Sequence, residues 1–121
     1  MSDFPTRETP WGKEVLLWGG LGAPVTVKIL TVNPGQRFSL QRHRHRMEHW
    51  TVLSPEGGII RIGDQEYPAE QGKEFTVPAG ALHRMTAPQG GELSVLEIAT
   101  GKFDQDDIER LEDDYGRVAQ R

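Results

Sequence analysis

Short apolar runs, each closed by glycine or proline, follow one another along most of this chain. That punctuation is the mark of an all-β architecture with tight turns, a sandwich or a small barrel. The clearest run is Val25-Thr26-Val27-Lys28-Ile29-Leu30-Thr31-Val32, which Asn33-Pro34-Gly35 ends as a turn. A strand over 37–43 comes next, with Phe38 and Leu40 on one face and Ser39, Gln41 and His43 on the other. Its apolar face requires cover from a sheet, an N-terminal segment or a second subunit, which makes a homodimer the expected assembly. Further strands are expected from Glu48, at Gly58 to Ile62, at Phe75 to Val77 ahead of Pro78, from His83, and over Leu93 to Ala99. Residues 1–14 read as irregular, anchored by Trp11, and Val15 to Trp18 as a short first strand closed by Gly19-Gly20. Seven to nine strands result, with no internal repeat and no linker.

The pattern changes after Gly101. Ile108, Leu111 and Tyr115 recur at i, i+3 and i+7 among Asp104, Asp106, Asp107, Glu109, Glu112, Asp113 and Asp114. This spacing predicts a short amphipathic C-terminal helix, its acidic groups forming a solvated face. At 121 residues the chain is expected to form one domain over 1–121. A net charge of -4 points away from nucleic acid and from acidic membrane surfaces. No apolar stretch is long enough to span a bilayer, the start carries no leader pattern, and a cytoplasmic protein is expected. With no cysteine, disulfide and thiolate chemistry are excluded.

The chemistry concentrates in Gln41-Arg42-His43-Arg44-His45-Arg46-Met47-Glu48-His49-Trp50, which holds three of the four histidines. The fourth, His83, follows Pro78-Ala79-Gly80-Ala81-Leu82. A lone histidine on a strand is ordinarily core or surface, so the grouping carries the argument. Gln41 and His43 share a strand face, a turn can return Glu48 beside them, and a third strand can bring in His83. Two imidazoles, a carboxylate and an amide oxygen suit a divalent first-row ion with positions left open for substrate.

These residues carry a resemblance. Gly35, five residues, Gln41-x-His43, four residues and Glu48, then Gly72, five residues and Pro78-x-Gly80-x-x-His83, resemble the two cupin motifs, with Gln41 where most cupins have histidine. The stretch Ser39 to Trp50, the N-terminal Pro10-Trp11-Gly12 and the closing Asp106-Asp107-Ile108-x-Arg110-x-x-Asp113-x-Tyr115-Gly116-Arg117 are similar to the isomerase domain of type II mannose-6-phosphate isomerases, often fused to a mannose-1-phosphate guanylyltransferase. The resemblance implies a cupin-type double-stranded β-helix, a jelly-roll barrel. It also implies a metal at Gln41, His43, Glu48 and His83, and interconversion of mannose 6-phosphate and fructose 6-phosphate. Thr9, Pro55 and Ala87 depart from the family pattern, which usually has arginine, glycine and asparagine at these places.

The ion, one of Zn, Mn, Co, Ni or Fe, would polarise the sugar carbonyl. Proton transfer needs a free group near neutral pKa. His45, two residues beyond His43, fits if the strand stays regular; Lys28 and Glu97 are the other candidates. His49 opposes Glu48 and is expected to orient a neighbour or pack outside. For the phosphate of a phosphorylated sugar, Lys28, Arg46, Arg84, Arg110 and Arg117 are the candidate cations. Two other readings stay open: a non-catalytic sugar-binding or sensor cupin, and a metal-dependent oxygenase, which Gln41 in place of a histidine weakens.

Overall fold

The computed structural model describes residues 4–104 and 106–118. They form eleven strands: β1 Thr6–Thr9, β2 Gly12–Trp18, β3 Val25–Val32, β4 Leu40–Arg42, β5 Arg46–Val52, β6 Ile59–Ile62, β7 Gln65–Pro68, β8 Glu74–Val77, β9 His83–Thr86, β10 Leu93–Gly101 and β11 Glu109–Glu112. Two antiparallel sheets result, one in the order β1-β2-β3-β10-β5-β8 and one in the order β11-β4-β9-β6-β7. Residues 1–3 of the expected irregular N-terminal stretch, and residues 105 and 119–121 of the tail, lie outside the described residues.

Alternation explains the sheets. In β10 every second residue from Leu93 to Ala99 is buried, and β3 and β5 on either side repeat the pattern with Thr26, Lys28 and Leu30 and with Glu48, Trp50 and Val52. Their inner faces build a core with Trp11, Phe38, Ile60, Val77 and Met85. Trp11 packs edge-on against Phe38 at 5.4 Å between ring centroids, the anchoring role expected of it. Gly12 is required where β2 meets β3, because a Cβ there would run into the Thr31 carbonyl oxygen.

Several expectations need correction. Among the described residues there is no helix, and the two sheets remain open rather than closing into a barrel. β1 and β8 bound one sheet, and β11 and β7 bound the other. The expected C-terminal helix is replaced by β11, which pairs with the exposed edge of the short strand β4 through Glu109↔Arg42 and Arg110↔Gln41. Edge pairing satisfies backbone groups that a detached helix would leave open. The acidic groups follow the same logic: Glu109 binds Arg42, Glu112 binds Arg84 and Asp114 binds Arg37, so they are cross-strand counterions rather than one solvated face.

The N-terminal stretch also differs, since Thr6–Thr9 pairs with β2 as an edge strand. The strand expected over 37–43 keeps regular form only over Leu40–Arg42, with Arg37 bridging Thr86 on its own. The break between Phe38 and β4 lets Phe38 enter the core although Gln41 also lines the interior. Phe38 and Leu40 are both buried within the one chain, so the apolar face that motivated a dimer is not exposed. Among the described residues, no helix is long and apolar enough to cross a membrane.

Candidate metal centre

The site lies between the sheets. From the six-stranded sheet come Lys28 on β3, Glu48 and Trp50 on β5 and Glu97 on β10; Glu97 stands beside Lys28 on one side and Trp50 on the other. From the five-stranded sheet come Gln41 on β4 and His83 on β9, directly paired, with His43 just past the end of β4. Strand parity aims Glu48, Trp50 and Glu97 inward. His43 is aimed by the turn that follows it.

The ligating atoms of His43, Glu48 and His83 all lie within 4.8 Å of one another, and all three residues are buried. His43 Nε2 is 3.4 Å from Glu48 Oε2, and His83 Nε2 is 3.8 Å from Glu48 Oε1. Donors about 2.0–2.2 Å from a shared ion stand roughly 3–3.5 Å apart at right or tetrahedral angles, so the spacing is close to that of a filled shell. Each histidine points its Nδ1 at a backbone carbonyl, His43 to Asp107 at 2.6 Å and His83 to Ala81 at 3.0 Å. That hydrogen bond places the proton on Nδ1 and leaves the Nε2 lone pair facing the centre. Among the described residues, His83 Nε2 is buried with no hydrogen-bond partner. An orphaned buried acceptor is costly, and a cation at the centre would remove the cost.

Electrostatics agree. Burial, then the Arg46 and His83 charges, hold the His43 imidazole down to about 3. Burial lowers His83 to about 4. Both rings are therefore neutral near pH 7, the form in which imidazole binds a metal. Burial and the neighbouring Glu48 push the Glu97 carboxyl well above the usual range. Trp50 Nε1 donates to Glu48 Oε1 at 3.0 Å and to Glu97 Oε2 at 3.2 Å, tying the two carboxyls together. The donor set and its protonation fit a divalent ion.

Gln41 lines a deep cavity of about 40 Å³ with His43, Arg46, Glu48 and Glu97, and its Oε1 accepts from the Ser39 hydroxyl at 2.7 Å. Arg46 reaches in as well, donating from Nε to Glu48 Oε2 at 3.2 Å and from Nη2 to His43 Nε2 at 3.0 Å. Simple alternation places Arg46 opposite His43; the intervening turn reverses that. Lys28 binds Glu14 at 2.8 Å, and Lys28 Nζ and Arg46 Cζ sit 4.5 and 4.6 Å from the centroid of Phe103.

The other candidates divide by position. Arg110 and Arg117 line both a small inner cavity of about 60 Å³ beside His43 and Gln41 and an outer groove of about 480 Å³. Arg110 Nε is buried without a hydrogen-bond partner among the described residues, while Arg117 is held by Asp113 at 2.7 Å. Arg84 is spent elsewhere, donating to the Phe38 carbonyl and to Glu112. His45 sits exposed in the turn between β4 and β5 and lines neither cavity, because the strand breaks at Arg44. His49 faces outward and binds Glu74 at 2.7 Å, as its parity predicts. Thr9, Pro55 and Ala87 line neither cavity.

Sequence reasoning missed Arg7, Glu14, Phe103 and Asp107, which all line the inner cavity. Glu14 lies on β2 ahead of the strand start expected at Val15, in a stretch read as irregular; Arg7 lies on the edge strand and Phe103 and Asp107 in the tail, where no periodicity marks them, although Asp107 falls in the closing motif of the resemblance.

Comparison with known proteins matches these observations. Among solved structures, a cupin-2 domain protein of Rhodospirillum rubrum superposes with a TM-score of 0.73 at 19% identity, covering 84% of this chain and 72% of that one. The capsular polysaccharide assembling protein CapF of Staphylococcus aureus gives 0.75 at 18% identity, covering 93% of this chain and 35% of that one. These establish the cupin fold. The alginate biosynthesis protein AlgA of Pseudomonas aeruginosa is 38% identical over 112 residues, 92% of this chain and 23% of that protein. The xanthan biosynthesis protein XanB of Xanthomonas campestris is 37% identical over 118 residues, 92% of this chain and 25% of that protein. This chain thus spans about a quarter of the length of these relatives. The family model described as mannose-6-phosphate isomerase C-terminal matches residues 5–113, and the chain belongs to that family, within the cupin superfamily.

Proposed function

We propose that this protein is a metal-dependent aldose-ketose isomerase acting on a sugar phosphate, with mannose 6-phosphate and fructose 6-phosphate as its pair. The observation that carries the reading is the buried His43, Glu48 and His83 cluster with its orphaned Nε2, in a chain of the mannose-6-phosphate isomerase C-terminal family. His43, Glu48 and His83 would hold the ion, with the Gln41 amide oxygen as fourth ligand. A divalent ion bound there supplies Lewis-acid polarisation of the sugar carbonyl.

The chain's own residues supply the rest. The phosphate of the substrate is assigned to Arg110 and Arg117, where the inner cavity meets the outer groove. Burial and the charge of Arg117 lower the Arg110 guanidinium, the direction expected of crowded cations that an anion would relieve. The outer groove is in the size range of small-ligand sites, and the inner cavity accepts only the reacting end. Arg46 already bridges His43 and Glu48 and would orient an oxygen of the sugar. Moving a proton between C1 and C2 needs a group on the cavity wall that can take it and return it. Lys28 and Glu97 both line the deeper cavity of about 40 Å³ against His43 and Glu48, and Lys28 lines the inner cavity as well, so the proton-transfer role is assigned to them ahead of His45.

The test is turnover. Protein loaded in turn with Zn, Mn, Co, Ni or Fe should convert mannose 6-phosphate to fructose 6-phosphate, and His83→Ala should abolish conversion together with bound metal. Undiminished turnover in metal-stripped protein sinks the proposal. The small inner cavity favours one second reading, a sugar-binding or sensor cupin, which saturable binding of mannose 6-phosphate without conversion would support. Oxygen uptake by the iron-loaded protein would point to an oxygenase instead.

A further inference from the structure

Of the three buried ligand candidates, two are positioned by their own surroundings. Glu48 lies inside a regular ladder between β8 and β10, and the Nδ1 of His83 uses the carbonyl of Ala81, two residues away. His43 is different. It follows the last residue of β4 and precedes the Arg44-His45 turn, so no ladder fixes its ring. Its backbone carbonyl accepts from Gly80 N at 2.7 Å, which holds the main chain but not the imidazole.

One residue from the tail completes the arrangement. The Asp107 carbonyl accepts from His43 Nδ1 at 2.6 Å. The Asp107 carboxylate accepts from Arg44 N through Oδ1 and from His45 N through Oδ2, both at 2.9 Å. Each contact satisfies a backbone amide that the break between β4 and β5 leaves outside the sheet. The segment itself is braced, since Asp107 N donates to the Asp104 carbonyl at 3.1 Å. A residue far away in sequence thus grips both the turn and the ring that stands on it.

We propose that Asp107 is a positioning residue of the metal centre: its carbonyl fixes the Nδ1–H tautomer of His43, and its carboxylate clamps the Arg44-His45 turn so that Nε2 faces the ion. This rests on the reading of His43 as a metal ligand. Partners that orient a ligand histidine commonly change metal affinity by about 10–100-fold when altered. The side chain of Asp107 acts through the turn, so its removal should move His43 without touching a ligand.

The test titrates Co²⁺ into the metal-stripped protein against a competing chelator. Asp107→Ala should bind about 10–100-fold more weakly than the parent and shift the cobalt absorption bands. Asp107→Asn keeps one acceptor oxygen but turns an NH₂ toward the second amide, and should fall between the two. Asp106→Ala, which changes the exposed neighbour, should bind like the parent. In the metal-free parent, nitrogen NMR should find His43 protonated on Nδ1, and this measurement decides the point alone if the Asp107 variants do not fold. Binding of Co²⁺ by Asp107→Ala within about twofold of the parent, or a parent His43 protonated on Nε2, overturns the proposal. A parent that binds no Co²⁺ overturns the ligand reading itself, and the positioning role with it.

Discussion

The two halves of the site are built by different means. Lys28, Glu48, Trp50, Glu97 and His83 stand on paired strands, where a neighbour on each side sets the direction of every side chain. His43 and Arg46 flank a turn, and that turn is held by Asp107 from the tail. The strand-borne half is rigid because the ladder over-determines it. The turn-borne half lacks that ladder: beside the backbone bonds from Gly80 to His43 and from Lys102 to His45, three hydrogen bonds to Asp107 hold it, so it is where metal affinity can be tuned without disturbing the core.

Breaking the ligand set should have the largest effect and should respect the division between inner and outer faces. His43→Ala and His83→Ala are each expected to lose the bound divalent ion, one from each half of the site. His49→Ala, from the outer face of the same strand as Glu48, should keep full occupancy, since its partner is Glu74. Elemental analysis of the purified variants checks this. Full metal content in His83→Ala would remove His83 from the centre and leave Glu48 as the strand-borne ligand.

That contrast also separates what could be read in the chain from what could not. The eight residues Val25–Val32 form a strand with the predicted bounds, and Glu48, Trp50 and Val52 face inward with His49 opposed, because a two-residue period needs only the local pattern. His43 and His83 were legible for a second reason, the resemblance of their spacing to the cupin motifs. The tail was not legible. Ile108, Leu111 and Tyr115 satisfy a helical spacing, yet the unpaired edge of β4 offered Glu109–Glu112 a partner that local periodicity cannot register. The direction of His45 was open for a related reason: it turned on whether the strand stays regular past Arg44, and local alternation cannot register the break that the structure has there. Closure of the sheets is likewise a matter of long-range pairing.

A smaller effect, from protons, sharpens the comparison in the metal-free protein. His43 at about 3 and His83 at about 4 lie below the value of about 6.5 for the unfolded chain. In that interval the unfolded state binds more protons, so stability rises with pH from about 4 to 6.5 and is lost as acid is added. Glu97 has the opposite sign: burial and Glu48 raise it, so its contribution is lost as pH rises through its folded value. One carboxyl against two imidazoles leaves the slope positive between about pH 4.5 and 6.5. Thermal melts across this range should show it, and His43→Gln and His83→Gln should each flatten the curve. A melting temperature independent of pH over the interval would mean that the two rings are not buried neutral.

The smallest expected effect lies outside the site, on the ion pairs that bind the tail to the five-stranded sheet. Arg37 holds Asp114 through two hydrogen bonds of 2.9 Å, but both side chains are close to half exposed. Exposed pairs contribute about 0–1 kcal/mol, because water screens the attraction and ordering two side chains opposes it. Arg37→Ala should therefore destabilise the protein by less than about 1 kcal/mol in urea unfolding and leave Co²⁺ affinity unchanged. The expectation discriminates between two ways the tail can serve the site. If β11 and its counterions carried the tail's influence on the metal as a unit, loosening Asp114 would propagate to Asp107 and weaken binding. With Asp107 acting through its own contacts to His43, Arg44 and His45, Arg37→Ala should spare the metal while Asp107→Ala does not. A loss of affinity in Arg37→Ala comparable to that in Asp107→Ala would show that the tail is held by its outer charges, and the turn-borne half of the site with it.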